Sequence, residues 1–586
     1  MNNLMINNRK TRVIGMSFML TLISWACSDS FLEVPVTGQL DSDLLIGRQG
    51  IETTLLAVYS QVNGRENRMA SPSNWVWGSI RGGEANKGTD PGDFSDINPI
   101  QRYEALPTQA VISDKYVGNY EGVARANAVL KLLQDPGPDV SPEFATSVEA
   151  QAKFLRAHFY FELKRAFNDT PYVDENVDYG SGIELVPNNV DLWPKIEADM
   201  QFAYDNLPAT QEQVGRVNKW AAAAYLGKIY LYQNKYTEAL AKFNEVIADG
   251  VTSNGKKYGL VPHYADIFKA SNDNHEESIW AYQAAANTGS VNNANPEFDL
   301  NFPYNTGPDG PGNCCGFFQP SFEMANSFRT SGGLPLLDGS YNVGANQLKT
   351  DMGIESADAF TPDDGELDPR LDHSVGRRGI PYLDWMDFPG KAWIRNQPNG
   401  GPYAPKKYIY YEADKGSLQD NSTWTPGYTA INVLIIRFAD VLLMAAECEI
   451  EVGDPEVARD YVNQIRTRAA DPAGFVMKDG SPAANYQIAT YPGPWAKDDA
   501  TREKVRFERK LELSGEGHRF FDLVRWGNVA DVITDYLAYE APKLPSGTLA
   551  GAKFTTGQDE LLPIPQSQID IVGKDILQQN PGYDGN

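Results

Sequence analysis

Apolar residues recur with helical spacing in several stretches of the chain. In residues 149–167 (EAQAKFLRAHFYFELKRAF), Ala150, Phe154, Ala157 and Phe161 fall on one face, which predicts an amphipathic helix. The same pattern predicts further helices over residues 192–207, 437–452, 456–469 and 501–512. Because such helices bury their apolar faces only against neighbours, we expect them to stack as a helical array.

Residues 220–250 (WAAAAYLGKIYLYQNKYTEALAKFNEVIADG) carry the clearest repeat signal. The spacings of a tetratricopeptide unit are matched by Leu226, Gly227, Tyr230, Ala239 and Phe243. The small residues Gly227 and Ala239 let two antiparallel helices approach closely, and Asn234-Lys235 supplies the turn. We place the helical repeat elements at about residues 110–286 and 437–530.

Between residues 287 and 428 the helical periodicity fades, and Gly, Pro, Asn and Asp dominate. Residues 71–90 have the same character. A structureless loop of such length is improbable inside a compact domain, so we interpret these segments as an irregular subdomain of short elements over the helices. The predicted fold is mainly α: a tetratricopeptide-like helical scaffold with a large, irregular, loop-rich subdomain.

The N-terminal apolar run, residues 13–25 (VIGMSFMLTLISW), follows Arg9, Lys10 and Arg12 and leads through Ala26 to Cys27. The run is too short for a permanent membrane helix and predicts a signal peptide over residues 1–26. A cysteine at the cleavage point is what bacterial lipoprotein processing requires, so Cys27 is the predicted lipidation site. Its acyl chains would tether the protein to a membrane. Plain cleavage and an uncleaved anchor are the alternatives.

The net charge of −26 over 586 residues argues against nucleic acid as a partner, because so acidic a surface repels phosphate. Removing residues 1–26, which hold only basic charges, makes the chain more acidic still. After Cys27 only three cysteines remain, which excludes a disulfide scaffold. Adjacent Cys314 and Cys315 form either a vicinal disulfide or two free thiols, whereas Cys448 lies in a helical apolar stretch and is expected in the core.

Signatures of common enzyme classes are missing from the chain: it contains no G-x-S-x-G, H-E-x-x-H, P-loop or dinucleotide-binding motif. The five histidines share no metal-ligand spacing. We therefore predict no catalytic or metal site and no cofactor, although paired-carboxylate hydrolysis stays open. Residues 273–277 (DNHEE) are rich in oxygen ligands for Ca²⁺ but lack the alternation of a calcium loop, which favours a solvated turn.

Aromatic residues make up 11% of the chain, which suggests a role beyond core filling. Trp75 and Trp77 alternate in a polar, Gly-rich setting, with Arg81, Asn86 and Asp90 close behind. Flat rings stack on the C–H faces of sugars, while Arg, Asn and Asp bond hydroxyls. Two interpretations are open for the tryptophans: a stacking platform, or rings that pin an irregular loop onto the helices.

Other aromatic residues complete this picture. Tyr304 and Trp385 are candidates for a second wall of the same ligand site. For Trp393 and Trp424 we favour a structural role. The predicted ligand-binding residues are therefore Trp75, Trp77, Arg81, Asn86, Asp90, Tyr304 and Trp385.

Taken together, the segments resemble the SusD/RagB family of outer-membrane nutrient-binding lipoproteins. Phe31-Leu32-Glu33 and Pro35 resemble its opening. The later motifs are 153–161 (KFLRAHFYF) with Pro171, 437–447 (RFADVLLMAAE), 462–469 (VNQIRTRA), 508–513 (ERKLEL) with 515–527 (GEGHRFFDLVRWG), 562–565 (LPIP) and 579–583 (QNPGY). Their Arg and Asp residues are expected to form buried ion pairs that join helices.

The resemblance implies one SusD-like domain over residues 27–586 that is anchored at the outer membrane and exposed at the cell surface. It implies a non-catalytic protein that captures oligosaccharides and delivers them to a TonB-dependent SusC-like transporter. Capture of peptides or another nutrient by the same architecture is the main alternative. A surface glycoside hydrolase and a tetratricopeptide scaffold that binds only protein are less favoured.

Overall fold

The computed structural model describes residues 45–583, except for 65–67, 296–297 and 313. The helices are α1 Arg48–Gln61, α2 Asn98–Gln101, α3 Ala110–Leu132, α4 Pro142–Phe167, α5 Trp193–Asn206, α6 Lys219–Tyr232, α7 Tyr236–Asp249, α8 Phe322–Ser327, α9 Leu371–Ser374, α10 Gln397–Gly400, α11 Phe438–Glu451, α12 Pro455–Ala469, α13 Asp499–Glu512, α14 Arg519–Trp526, α15 Val529–Glu540 and α16 Gln566–Val572. The strands are β1 Ala85–Gly88, β2 Ser278–Tyr282, β3 Phe317–Pro320, β4 Thr330–Ser331, β5 Leu334–Pro335, β6 Val375–Gly376, β7 Ala404–Pro405, β8 Val433–Arg437, β9 Met477–Lys478 and β10 Ser481–Pro482.

The long helices pack as a chain-order array. Helix α3 packs on α4, α4 on α5, α5 on α6 and α6 on α7, and α7 then contacts α11, which packs on α12 and α13. Each helix predicted from apolar spacing is present. The mainly α, tetratricopeptide-like fold is thereby confirmed.

The predicted tetratricopeptide hairpin is formed by α6 and α7. Asn234 makes the turn with a left-handed backbone (φ 58°). A Cβ atom on Gly227 would lie 2.6 Å from Phe243 Cε1, so only glycine allows this approach. Ala239 and Phe243 are fully buried at the contact, as expected from their spacing.

Buried ion pairs join the helices, as expected for the Arg positions of the motifs. Arg437 Nη1 lies 2.6 Å from Glu277 and 2.7 Å from Glu512, and its Nε lies 2.8 Å from Glu516. Arg468 also pairs with Glu512 at 2.5 Å. Burial alone would raise the pKa of Glu512, but the surrounding arginines lower it below its ordinary value. This cluster ties α12 and α13 to strands β2 and β8.

The irregular region consists of short elements, as predicted, with two-stranded antiparallel sheets between them. One sheet pairs β1 with β3, and Gly88 lies opposite Phe317. This pairing brings the loop after β1 beside residues 298–320, which positions the site described below. Another pairs β2 with β8 and connects the region to α11.

The structure assigns a state to each cysteine that it describes. Cys314 and Cys315 form a vicinal disulfide, and Cys448 is a free, buried core residue of α11. The predicted signal peptide and Cys27 lie outside the described residues, so their prediction stands untested. Among the helices that are described, none is long and apolar enough to cross a membrane.

Candidate functional site

A cleft of about 480 Å³ opens where the loop after β1 faces the segment before β3. It is lined by Met69, Asp93, Phe94, Asp114, Leu300, Cys315, Phe317 and Trp424. Trp424 is 59% exposed, so it is a large aromatic ring that the cleft presents to solvent. Apolar walls with a few polar groups are typical of small-molecule sites of this volume.

The loop that forms one wall is held by the buried Lys87. Its Nζ donates hydrogen bonds to the main-chain oxygens of Asp90 (3.0 Å) and Asp93 (2.6 Å). Thr89 has a left-handed backbone, and its N–H donates to the Gly316 carbonyl at 2.6 Å. Burial lowers the pKa of Lys87 to about 8, while Asp93 and Asp90 oppose that shift. The loop is thus fixed at both ends against the strand pair.

Arg395 joins two of the predicted residues beside the cleft. Its guanidinium pairs with Asp90 and, at 2.5 Å, with Asp93, and it donates to Thr89 Oγ1 at 2.9 Å. Its Cζ lies 5.3 Å from the centre of the Tyr304 ring. Asp90 and Tyr304 therefore meet through Arg395, a residue that the sequence analysis did not single out.

Asp114 is a second carboxylate in the lining of the cleft. Burial raises its pKa, and the nearby Asp96 carboxylate raises it further. The carboxylate of Asp93 is shared with Arg395, whereas Asp114 lies next to another acid rather than a base. The cleft therefore presents hydrogen-bond acceptors with an excess of negative charge.

The structural role predicted for Trp424 is wrong, because its ring is exposed. Its neighbour Thr425 is buried, and Thr425 Oγ1 lies 4.0 Å from Cys314 Sγ, so the backbone is anchored while the ring stays open. The sequence does carry an indication of this exposure, because Trp424 stands in the polar stretch 419–427 (QDNSTWTPG), a setting similar to that of Trp75. The structural role does hold for Trp393, which is buried.

Trp75 and Trp77 are core residues, which corrects the prediction of a stacking platform. Trp75 is 3% exposed and Trp77 is 1% exposed, so neither offers an open face to a ligand. Trp77 Nε1 donates to the Met69 carbonyl at 2.8 Å, and Trp75 packs edge-on against Phe317 with ring centres 6.4 Å apart. Since Met69 and Phe317 line the cleft, the two tryptophans support its wall from behind.

Arg81 and Asn86 also have structural roles instead of the predicted ligand contacts. The Arg81 guanidinium lies 3.9 Å above the centre of the Phe520 ring and donates to the Asp559 carbonyl at 2.5 Å. Asn86 Nδ2 donates to Glu540 Oε1 at 2.9 Å. Both side chains are buried, because they join the β1 segment to the C-terminal third of the chain.

Trp385 is not brought to the cleft. It is half-buried, its Nε1 donates to the Tyr410 carbonyl at 3.2 Å, and its ring packs edge-on against that of Tyr410. Of the seven predicted residues, only Asp90 and Tyr304 lie beside the cleft, at Arg395.

A second cleft, of about 450 Å³, lies between α1 and β2. Its exposed side chains include the aliphatic Leu56 and Val214, while Trp280 and Tyr282 in its wall are buried. The Trp424 cleft is the better candidate because it combines an open ring with carboxylates.

A family model described as "SusD family" matches residues 276–583, more than half of the chain. The chain belongs to the SusD family. A second family model, described as "Starch-binding associating with outer membrane", matches residues 84–231 of this SusD-family protein. The resemblance inferred from the motifs is thereby confirmed.

Curated relatives and solved structures agree with the family. A SusD-like protein of Formosa agariphila is 27% identical over 75% of this chain and 76% of its own length, and another from the same organism is 24% identical over 98% and 100%. A SusD superfamily protein from Bacteroides vulgatus superposes with a TM-score of 0.67 at 22% identity, covering 91% of this chain and 99% of the other. Surface glycan-binding protein A from Bacteroides thetaiotaomicron, solved with laminarihexaose, gives a TM-score of 0.61 at 21% identity over 91% and 99%.

The candidate calcium ligands of this SusD-family protein have other partners. Both Asp273 carboxylate oxygens accept from the Asn432 N–H, at 3.2 and 3.3 Å. Glu277 is buried against Arg437 and Arg468. Over the part of the chain that the structure describes, no group of three or more His, Cys, Asp or Glu side chains is arranged to hold a metal ion.

Proposed function

We propose that this protein is a non-catalytic cell-surface lipoprotein that binds oligosaccharides in the Trp424 cleft. It passes them to a SusC-like TonB-dependent transporter in the outer membrane. Family membership supports the general class, and the family description of association with the outer membrane supports the location.

The observation that carries the proposal is the open ring of Trp424 over a cleft with carboxylates. One face of a pyranose is lined by C–H groups and its rim carries hydroxyls, so it suits an aromatic face beside hydrogen-bond acceptors. Asp93 and Asp114 supply such acceptors, and Arg395 supplies donors at the rim. Asp93 is already bound by Arg395, which holds its carboxylate in place as an acceptor for a hydroxyl.

Delivery to a transporter is supported by the helical array and by the predicted lipid anchor at Cys27. The α6–α7 hairpin is a tetratricopeptide unit, a module whose stacked helices form binding surfaces. Co-purification from native membranes in mild detergent tests this step. Recovery of the protein alone, from membranes that hold the transporter in equal amount, would contradict it.

Binding is tested by calorimetry with linear hexasaccharides of different linkage, including laminarihexaose, maltohexaose, cellohexaose and xylohexaose, and with a peptide digest. We expect at least one hexasaccharide to bind. Trp424→Ala should weaken its binding by about 30-fold, equivalent to about 2 kcal/mol for an aromatic anchor. Tyr179→Ala removes another exposed aromatic ring outside the cleft and should leave affinity unchanged.

Three outcomes would count against the proposal. Equal affinities of Trp424→Ala and wild type would exclude the cleft as the site. Binding of peptides and of no hexasaccharide would favour the peptide alternative. New reducing ends after incubation with the bound glycan would indicate a hydrolase.

A further inference from the structure

We propose that the Cys314–Cys315 disulfide is part of the ligand site, as an apolar floor on which a sugar ring rests beside Trp424. Ligand affinity then depends on the oxidation state of this cysteine pair. The inference rests on the proposed function, because it concerns the same cleft.

The disulfide lies close to several side chains of the site. Cys315 lines the cleft, and Cys314 Sγ is 4.0 Å from Thr425 Oγ1, next to Trp424. On the other side, a Cβ atom on Gly316 would lie 3.2 Å from Tyr304 Cβ and 3.5 Å from Arg395 Cβ. The pair therefore lies close both to the segment that carries Trp424 and to the residues around Arg395.

The backbone after the disulfide is fixed to both neighbouring segments. The Gly316 carbonyl accepts from the Thr89 N–H at 2.6 Å, and the Phe317 N–H donates to the Leu300 carbonyl at 3.2 Å. These hydrogen bonds fix the position of the neighbouring disulfide in the wall of the cleft. Leu300, Cys315 and Phe317 all line the cleft, so the disulfide is within the wall that a bound ligand faces.

The chemistry of a disulfide suits this position. Its two sulfurs are polarizable and carry no N–H or O–H group, so they offer an apolar contact to the C–H face of a sugar. Reduction by a dithiol forms a disulfide in the reductant and breaks the Cys314–Cys315 bond, and each cysteine sulfur gains one electron and one proton. The product is two thiols that rotate independently, and the continuous floor is lost.

The export predicted from residues 1–26 places the protein where disulfides persist. Cys448, the free cysteine of α11, is fully buried and is not among the residues that line the cleft. It therefore provides a matched control for thiol chemistry.

The test measures affinity for the tightest-binding hexasaccharide of the panel, before and after treatment with a dithiol and removal of the reductant without air. Loss of the disulfide contact should weaken binding about threefold, the effect of withdrawing about 25 Å² of apolar contact. The Cys314→Ser/Cys315→Ser variant should bind as weakly as the reduced protein and no longer respond to the dithiol. Cys448→Ala should respond as wild type does.

The outcomes separate the two proposals. If Trp424→Ala loses affinity while reduction and the double serine variant leave it unchanged, the cleft is the site and the disulfide proposal is wrong. If Trp424→Ala also binds normally, the site itself is wrong and both proposals fail. Circular dichroism and thermal melting check that the reduced protein and the double variant stay folded. Losses of affinity that appear only in unfolded samples would overturn the inference, since unfolding would then account for them.

Discussion

Replacing Gly517 with alanine should destabilise the protein more than replacing a glycine in an open turn. Gly517 lies in the turn before α14 with φ +79°, and a Cβ atom there would lie 2.0 Å from the Ser73 carbonyl oxygen. Its N–H donates to Ser79 Oγ at 3.0 Å. The turn thus packs backbone to backbone on the π-helical segment Trp75–Ile80, which carries the two buried tryptophans.

The expected cost has two parts. A left-handed backbone costs a residue with a Cβ about 1–2 kcal/mol. Relieving a 2.0 Å contact with a main-chain oxygen requires backbone displacement, and overpacking of this kind costs about 1–3 kcal/mol. We therefore expect Gly517→Ala to lower the free energy of unfolding by about 2–5 kcal/mol.

Gly551 provides the matched control, because it also has a left-handed backbone (φ +75°) but no atom within 4 Å of the point where a Cβ atom would lie. Gly551→Ala should incur only the backbone cost of about 1–2 kcal/mol. Urea denaturation of both variants, followed by circular dichroism, measures the difference. Equal losses would refute the claim that close backbone packing, and not conformation alone, requires glycine at position 517.

Three further predictions concern a buried histidine, the charge of the cleft and the lipid anchor. Burial lowers the pKa of His158 to about 3, so between pH 6.5 and that value the unfolded chain binds more protons than the folded protein. Stability should therefore decrease as the pH is lowered through this range, by up to about 1.4 kcal/mol per pH unit. In thermal melts from pH 7 to 4.5, His158→Asn should lose stability less steeply than wild type, and parallel curves would contradict this. The carboxylates of Asp93 and Asp114 should make an oligosaccharide that bears uronic acids bind more weakly than its neutral analogue, and this difference in affinity should decrease at high salt. A difference that does not depend on salt would indicate that shape, and not charge, causes it. Cys27→Ala should release soluble protein from the membrane fraction, and retention there would rule out the lipid anchor.

The helical part of the fold could be predicted from the sequence because its determinants are local. The spacing of Ala150, Phe154, Ala157 and Phe161 places them on one face of α4, where all four are buried. Gly227 and Phe243 likewise identify the α6–α7 hairpin through a fixed spacing along the chain. Such patterns need no knowledge of distant segments.

The cleft could not be predicted in the same way, because its parts are distant in the chain. Asp90, Tyr304 and Arg395 meet only after β1 pairs with β3. Trp75 and Trp424 occupy similar polar, Gly- or Pro-containing sequences, yet one is buried and the other open. What separates them is the packing of the Trp75 ring against Phe317 and Phe318, a tertiary contact that local composition does not encode.

The buried cluster around Arg437 also makes packing of the core depend on a segment that is synthesised late. Its carboxylates come from Glu277, Glu512 and Glu516, and Arg437 lies between them in the sequence. A nascent chain that ends before α13 would have to bury Arg437 without two of these partners, at a cost of several kcal/mol. We therefore expect the elements around Arg437 to pack together only after the segment that ends at Glu516 has been synthesised.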